Sequence, residues 1–240
     1  MIGRVILAAL LAGIAAGLFY GAIQHVRLTP LILEAEKYEN AGGGHSNDHA
    51  AATTTTTTES APAAEAAPEE EAWAPADGAE RTLYTFLASI VAAAGFAAVL
   101  AGVSVLSGIR ITPRNGLLWG IAGFLAVHLA PAASLPPELP GMPAGDLLAR
   151  QVWWVGTILA TGIAIWLFTQ RTEMWAKVAA VILVALPHII GAPQPPTHES
   201  GVPAVLSAEF AANTLAVAAL MWLAIGGFLG FAMDRFVEEA

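Results

Sequence analysis

Six apolar segments constrain the fold of this chain more than any other feature of its sequence. They cover residues 2–23, 83–106, 116–131, 152–168, 174–190 and 207–233. A helix needs about 20 apolar residues to cross the roughly 30 Å hydrocarbon core of a bilayer. The first, second and sixth segments reach this length, whereas the third and fifth need help from their flanking residues. The sequence therefore predicts an all-α fold, a polytopic membrane helical bundle with about six transmembrane helices.

The composition agrees with a membrane protein and excludes several classes of soluble protein. Hydrophobic residues make up 56% of the chain and charged residues only 12%, whereas about 25% of an ordinary soluble domain is charged. The chain has no cysteine, which excludes disulfides, thiolate metal sites and thiol catalysis. No basic patch indicates a nucleic-acid partner. We therefore expect the chain to be embedded in the lipid bilayer.

The acidic balance belongs to one segment. The net charge is −9, and residues 39–80 hold nine acids and no Lys or Arg. Residues 41–80 are rich in Thr, Ala, Pro and Glu, and such a composition cannot bury enough apolar area to offset its ordering entropy. We expect a single membrane domain over residues 1–240, in which residues 41–80 form a long, disordered outer loop between the first and second helices. This loop acts as a solvated spacer or touches metal transiently through its HSNDH sequence.

Positive charges predict the orientation, because Lys and Arg are enriched in short cytoplasmic loops. The loops SGIRITPRNG and TQRTEMWAK hold four bases, while GAPQPPTHESGVP holds none. Six spans then place both termini in the cytoplasm. Merging or dropping one short segment gives a five-span alternative with the C-terminus outside. The first apolar run is too long for a signal peptide, so we interpret it as a retained helix.

On the six-span topology all histidines fall on the outer side. They are His25, His45, His49, His128, His188 and His198. Neutral imidazole is the commonest protein metal ligand, so a one-sided set indicates metal capture or proton handling at that face. Chance is the simpler alternative for the set as a whole.

Two histidines lie beside prolines within apolar segments. His128 precedes Pro131 by about one turn, and His188 directly follows Pro187. A proline removes a backbone hydrogen bond and bends a helix, as in the broken helices that build transporter sites. The alternative for each histidine is an interfacial side chain that bonds to backbone.

Carboxylates follow the first helix on the same side. The set of His and Glu without Cys favours divalent cobalt, nickel, manganese or zinc. The candidate metal ligands are His188, His128, His25, Glu34 and Glu36. Glu34 has the alternative of an exposed helix charge. The chain lacks a phosphate-binding G-x-x-x-x-G-K-[ST] loop, H-E-x-x-H and G-x-S-x-G, so we predict no catalytic residue and no enzyme activity.

Glycines four residues apart mark three of the segments. They are Gly13, Gly17 and Gly21 in the first segment, Gly116 and Gly120 in the third, and Gly226 and Gly230 in the sixth. In lipid, small residues at this spacing let helix backbones approach closely. The pattern predicts a tightly packed bundle, with docking of a separate partner helix as the alternative.

Several motifs resemble one family along nearly the whole chain. The opening MIGRVILAALLAGIAAGLFYGAIQHVRLTPLILEAEKYE is followed in order by LPPELPG, RQVWW and PHIIGAP, and only the Thr/Glu-rich loop is unmatched. These motifs resemble the CbtA family of predicted cobalt transporter subunits. The motif residues that bear on function are His25, Glu34, Glu36, Glu138, Arg150, Gln151, Pro187 and His188.

The resemblance implies a subunit of a cobalt uptake system that is linked to cobalamin synthesis and lies in the bacterial inner membrane. It also implies a small single-helix partner of the CbtB type that bears histidines. We expect no tightly bound cofactor, and cobalt as the transported divalent metal. The rival hypothesis is a non-transport membrane scaffold or assembly subunit. A membrane-bound metalloenzyme is a third hypothesis, for which no constellation of base and nucleophile is visible.

Overall fold

The computed structural model describes residues 2–41, 75–197 and 199–238, and this part of the chain is helical without any strand. The α-helices are α1 (Ile2–Arg27), α2 (Thr29–Ala41), α3 (Ala79–Ser107), α4 (Gly116–Phe124), α5 (Ala130–Ala132), α6 (Leu147–Gln170), α7 (Met174–Ile190) and α8 (Ala204–Met233). One π-helical turn, Leu125–Leu129, joins α4 to α5, and another, Asp234–Glu238, follows α8. The predicted all-α fold is confirmed for these residues. Most of the predicted loop, together with His45, His49 and His198, lies outside them.

Four helices of the described part are long and apolar enough to cross a membrane. They are Ile2–Arg27, Ala79–Ser107, Leu147–Gln170 and Ala204–Val237. Two shorter apolar helical stretches, Gly116–Ala132 and Met174–Ile190, match the third and fifth predicted segments. Since α7 has 17 residues, it is about 26 Å long, slightly less than the roughly 30 Å hydrocarbon core. The helices are therefore compatible with a multi-pass protein of about six spans.

The glycines of α1 bring its backbone against α3. A Cβ placed on Gly13 would lie 2.3 Å from the Cα of Ala94, and one on Gly17 would lie 2.4 Å from the Cα of Ile90. Only a residue without a side chain permits this approach. The first glycine face is therefore covered by a helix of the same chain, which confirms tight packing within the bundle.

A second glycine contact joins α4 to α8. A Cβ on Gly226 would lie 2.2 Å from the carbonyl oxygen of Gly116, and one on Gly120 would lie 2.3 Å from that of Trp222. The buried face of α8 also carries Trp222, Ile225 and Leu229, which are almost completely enclosed. This helix lies at the centre of the bundle and contacts α1 and α3 as well as α4.

Helix α2 is an element that the apolar pattern does not reveal, because it is short and polar. It follows α1 after Leu28 and starts with Thr29 and Pro30, a pair that favours the first turn of a helix. Ala35 of α2 is buried in a cluster with Leu28, Leu139 and other apolar side chains. The further members of this cluster are Val202, Phe210 and Val217.

This cluster defines one end of the bundle, which we call the α2 end. It consists of α2, the loop over residues 133–146 and the described residues 191–197 and 199–203. A Cβ on Gly141 would lie 3.2 Å from the Cβ of Glu39, and one on Gly145 would lie 3.1 Å from the carbonyl oxygen of Gln194. The α2 end is therefore a packed cap in which α2 and both loops meet.

Candidate functional site

Those polar residues singled out from the sequence that the structure describes lie at the α2 end or in the bundle below it. His25 lies in the last turn of α1, and His188 lies in the last turn of α7. His128 lies deeper, because its ring contacts Phe96 and Trp222, which are well inside α3 and α8. The described histidines thus belong to one half of the bundle but occupy different depths.

Pro131 explains the local backbone around His128. Proline has no N–H, so the α-helical bond from residue 131 to residue 127 cannot form. The backbone widens just before it into the π-helical turn, in which the N–H of Ala130 donates to the carbonyl of Leu125. Such turns are rare and are frequent at functional sites. Here the turn carries His128 into the space between α3 and α8.

A hydrogen bond from tryptophan sets the tautomer of His128. The Nε1–H of Trp222 donates to Nδ1 of His128 over 2.9 Å. Because indole is a donor only, Nδ1 is an acceptor and the neutral ring carries its proton on Nε2. Histidines that ligate a metal usually donate their second ring N–H, which is the opposite arrangement. In this conformation His128 therefore presents an N–H at Nε2, and binding of a metal through that nitrogen would require the loss of this proton.

His188 has the environment that suits a ligand. Its Nδ1 lies 2.8 Å from the hydroxyl of Ser134, and its ring meets that of Trp153 edge-on with a centroid distance of 5.9 Å. Trp153 also donates to the carbonyl of Pro187 over 3.0 Å. If Nδ1–H donates to Ser134, Nε2 keeps a free lone pair, as in metal-binding histidines with a hydrogen-bonded outer shell.

An ion pair faces a cavity below the α2 end. Nη2 of Arg150, in the first turn of α6, donates to Oε2 of Glu138 over 2.6 Å, and both side chains are about one-quarter exposed. Asp146 caps α6 by accepting from the N–H of Ala149 over 2.8 Å, which fixes the start of this helix. The sequence places Glu138 and Arg150 on one side but does not predict that they pair. The opposite charges of LPPELPG and RQVWW are the signal from which the pair could have been predicted.

The cavity has a volume of about 400 Å³, and we call it the Glu138 cavity. Its polar lining residues are His128, Glu138, Arg150 and Gln151. Its apolar lining includes Phe96, Pro131, Leu135, Trp154 and Leu215, from α3, the Pro131 bend, α6 and α8. The cavity thus brings a carboxylate, an amide and a histidine donor into an apolar region of the bundle.

The two carboxylates predicted as ligands on α2 are held by cations. Glu34 accepts from Lys37 over 2.6 Å, and this hydrogen bond raises the pKa of Lys37 above its usual value. Glu36 is bound by two guanidinium nitrogens of Arg81, one of them at 3.1 Å. Arg81 also donates to Asp77 over 2.9 Å. Helix α2 is therefore tied to the start of α3 by charge.

His25 faces a separate space. It lines a cavity of about 320 Å³ together with Asp77 and Arg81. Within residues 2–41, 75–197 and 199–238, no group of three or more His, Asp or Glu side chains lies close enough to hold a metal ion. The five predicted ligands are therefore not assembled into one site in this conformation. Their role in metal binding stays a prediction.

Comparison with known proteins agrees with the membrane architecture. A family model described as "Probable cobalt transporter subunit (CbtA)" matches residues 2–234. No curated protein and no solved structure matches the chain. Since the family match covers nearly the whole chain, including every helix that forms the bundle, the chain belongs to the CbtA family of probable cobalt transporter subunits.

Proposed function

We propose that this subunit carries Co²⁺ across the membrane in the direction of uptake and that the Glu138 cavity is part of the route. The observation that supports this proposal most is a carboxylate–guanidinium pair beside a cavity in an apolar bundle. Charged side chains that face an apolar cavity are costly unless they are paired. A carboxylate, an amide and a histidine along one cavity suit the passage of a hydrated divalent cation.

Capture of the metal is assigned to the α2 end. When Nδ1–H of His188 donates to Ser134, Nε2 offers a free ring nitrogen there, and Glu34, Glu36 and His25 lie on or beside α2. Lys37 forms an ion pair with Glu34, and Arg81 forms one with Glu36. Binding of a cation therefore requires these bases to move aside. His128, which carries its proton on Nε2, orients water or the hydration shell of the ion by donating to it.

The energy source and the cellular setting belong to the same proposal. The sequence holds no phosphate-binding loop, so a partner or an ion gradient drives the metal. We assign the partner role to a small single-helix, histidine-bearing subunit of the CbtB type. The system would supply cobalamin synthesis from the inner membrane, with both termini of this chain in the cytoplasm.

Uptake of radioactive cobalt into proteoliposomes tests the function. The chain and its partner are reconstituted together, and vesicles without protein give the background. We expect uptake above this background, at least tenfold lower uptake by Glu138→Gln, and unchanged uptake by Glu173→Gln. Glu173 is the matched control because it precedes α7 at the opposite end of the bundle. A folded complex that shows no uptake refutes transport.

The scaffold hypothesis loses its main support. It relies on glycine faces that are open to another complex, whereas the faces of α1, α4 and α8 are occupied by helices of the same chain. Full function of a His128→Gln, His188→Gln double variant is the result that would restore it.

A further inference from the structure

We propose that Arg150 is the resident cation of the Glu138 cavity and that a divalent metal binds Glu138 by displacing it. This role rests on the proposed function. Glu138 would be a metal ligand outside the set predicted from sequence, and Arg150 would be its tethered competitor. The Glu138–Arg150 pair is neutral, and a bound metal would bring a positive charge to Glu138 in place of the guanidinium.

The number of hydrogen bonds distinguishes this pair, which joins a loop to α6, from the Arg81–Glu36 pair, which joins α3 to α2. Arg81 holds both carboxylate oxygens of Glu36 and also binds Asp77. Arg150 reaches only Oε2 of Glu138, and Oε1 has no partner among the described residues. Two-point binding by arginine adds both strength and geometric specificity. Arg150 is therefore held more loosely than Arg81, although both pairs are partly buried.

Desolvation explains why a cation is needed at all. A carboxylate left alone among apolar side chains is strongly unfavourable, so Glu138 needs a positive partner. The lining otherwise offers only neutral polar groups, His128 and Gln151. Arg150 fills that need when no metal is present. Two cations on one carboxylate repel each other, so a metal and Arg150 compete for Glu138 and each weakens the binding of the other.

Chain stiffness decides which partner moves. Glu138 lies in the sequence LPPELP, where prolines on both sides restrict the backbone. Arg150 has a long side chain on the first turn of α6, where residues four apart are neighbours. Asp146 is four residues before it and is exposed. Oδ1 of Asp146 accepts from the N–H of Ala149, and its other carboxylate oxygen would offer a second position for the guanidinium after a metal has taken Glu138.

Binding of Co²⁺ to the full-length chain in nanodiscs, measured by calorimetry, tests the competition. We expect Arg150→Ala to bind Co²⁺ at least about tenfold more tightly than the unmodified chain, and Glu138→Gln to bind at least about tenfold more weakly. Glu173→Gln is the control and keeps the original affinity. Size-exclusion profiles and helical circular dichroism verify that each variant is folded.

Free guanidinium gives a second readout that does not depend on comparing two variants. Millimolar guanidinium chloride should fill the space left in Arg150→Ala and raise the apparent Kd for Co²⁺ in proportion to its concentration. The unmodified chain, whose own guanidinium occupies the site, should respond much less.

If Arg150→Ala is misfolded, Arg150→Lys replaces it and should bind Co²⁺ more tightly than the unmodified chain, because lysine is a single point charge.

The outcomes separate this inference from the function on which it rests. Cobalt uptake by the unmodified complex, together with equal Co²⁺ affinity of all the variants, overturns the displacement of Arg150 and leaves transport standing. Absence of both uptake and Co²⁺ binding in the unmodified complex overturns both. Tighter binding by Arg150→Ala with competition by guanidinium supports the displacement.

Discussion

At the scale of single residues, hydrogen bonds between distant side chains decide the chemistry of the two described histidines beside prolines. Trp222 donates to His128 and so places the ring proton on Nε2, whereas the hydroxyl of Ser134 can either donate to or accept from Nδ1 of His188, and Nε2 of His188 keeps its lone pair for a metal only when Ser134 accepts. Both histidines look equivalent in the sequence, since each is next to a proline in an apolar segment. Their partners make them different.

The bond to His128 has a consequence for stability. Trp222→Phe keeps most of the aromatic volume but leaves Nδ1 of His128 without a donor. We expect the free energy of unfolding to fall by about 1–3 kcal/mol, the cost of an unsatisfied buried polar group. Trp175→Phe, at a position that is 60% exposed, should change it by less than about 0.5 kcal/mol. Titration with a denaturing detergent measures the free energy of unfolding of each variant. Equal losses in Trp222→Phe and Trp175→Phe would contradict the role of the bond.

The partner of His188 is testable through metal affinity. Ser134→Ala removes the group that orients the ring, and outer-shell changes of this kind typically cost about 10–100-fold in affinity. We expect the Co²⁺ concentration that gives half-maximal uptake to rise by about tenfold or more in Ser134→Ala. The rise should be larger in His188→Gln, which loses the ligand itself. Ser207→Ala is a control on α8. An unchanged half-saturation in Ser134→Ala would mean that His188 is a structural tie between α6 and α7.

At the scale of helices, glycine spacing and proline position act through backbone geometry. The glycine faces predicted from spacing do pack closely, and the structure shows which helix covers each of them. Pro131 replaces one α-helical turn by a π-helical turn, which is a local effect that the sequence permits but does not require. Helix α2 is the element that the apolar pattern misses, because its burial depends on loops more than 90 residues away, such as the one at Leu139.

Close packing of α1 on α3 predicts opposite effects for two glycines. A Cβ at Gly17 would lie 2.4 Å from backbone of α3, so Gly17→Ala forces the helices apart. We expect the free energy of unfolding to fall by about 1–3 kcal/mol, as for other overpacked interiors. A Cβ at Gly95 meets nothing within 4 Å, so Gly95→Ala should be neutral or stabilising by up to about 1 kcal/mol through helix propensity. Similar losses at both positions would refute the contact.

At the scale of the whole molecule, the helix directions give two distinct ends. The α2 end holds the last turns of α1 and α7 and the first turns of α3, α6 and α8. The opposite end holds the ends of α3 and α6 and the connection between α6 and α7. This arrangement agrees with the six-span topology for the described residues, so the topology also determines the one-sidedness of His25, His128 and His188.

Accessibility of single cysteines tests this arrangement, and the chain is suited to it because it has none of its own. We expect Ser107→Cys and Thr172→Cys to react from one side of the membrane and Ser200→Cys to react from the other. The measurement is labelling by a membrane-impermeant maleimide in intact and in opened cells. Reaction of Ser107→Cys and Ser200→Cys from the same side would refute the six-span topology.

The sequence alone determined the class of the molecule. The lengths of the apolar segments predict the spans, and the glycine spacing predicts close helix contacts, because both patterns depend on residues that are near one another in the chain. The absence of cysteine excludes thiol chemistry by composition alone. Only the tertiary structure decided the pairs that form the candidate site. Trp222 and His128 are 94 residues apart, and Arg81 and Glu36 are 45 apart. Such pairs follow from which helix faces meet, and local periodicity carries no information about that choice.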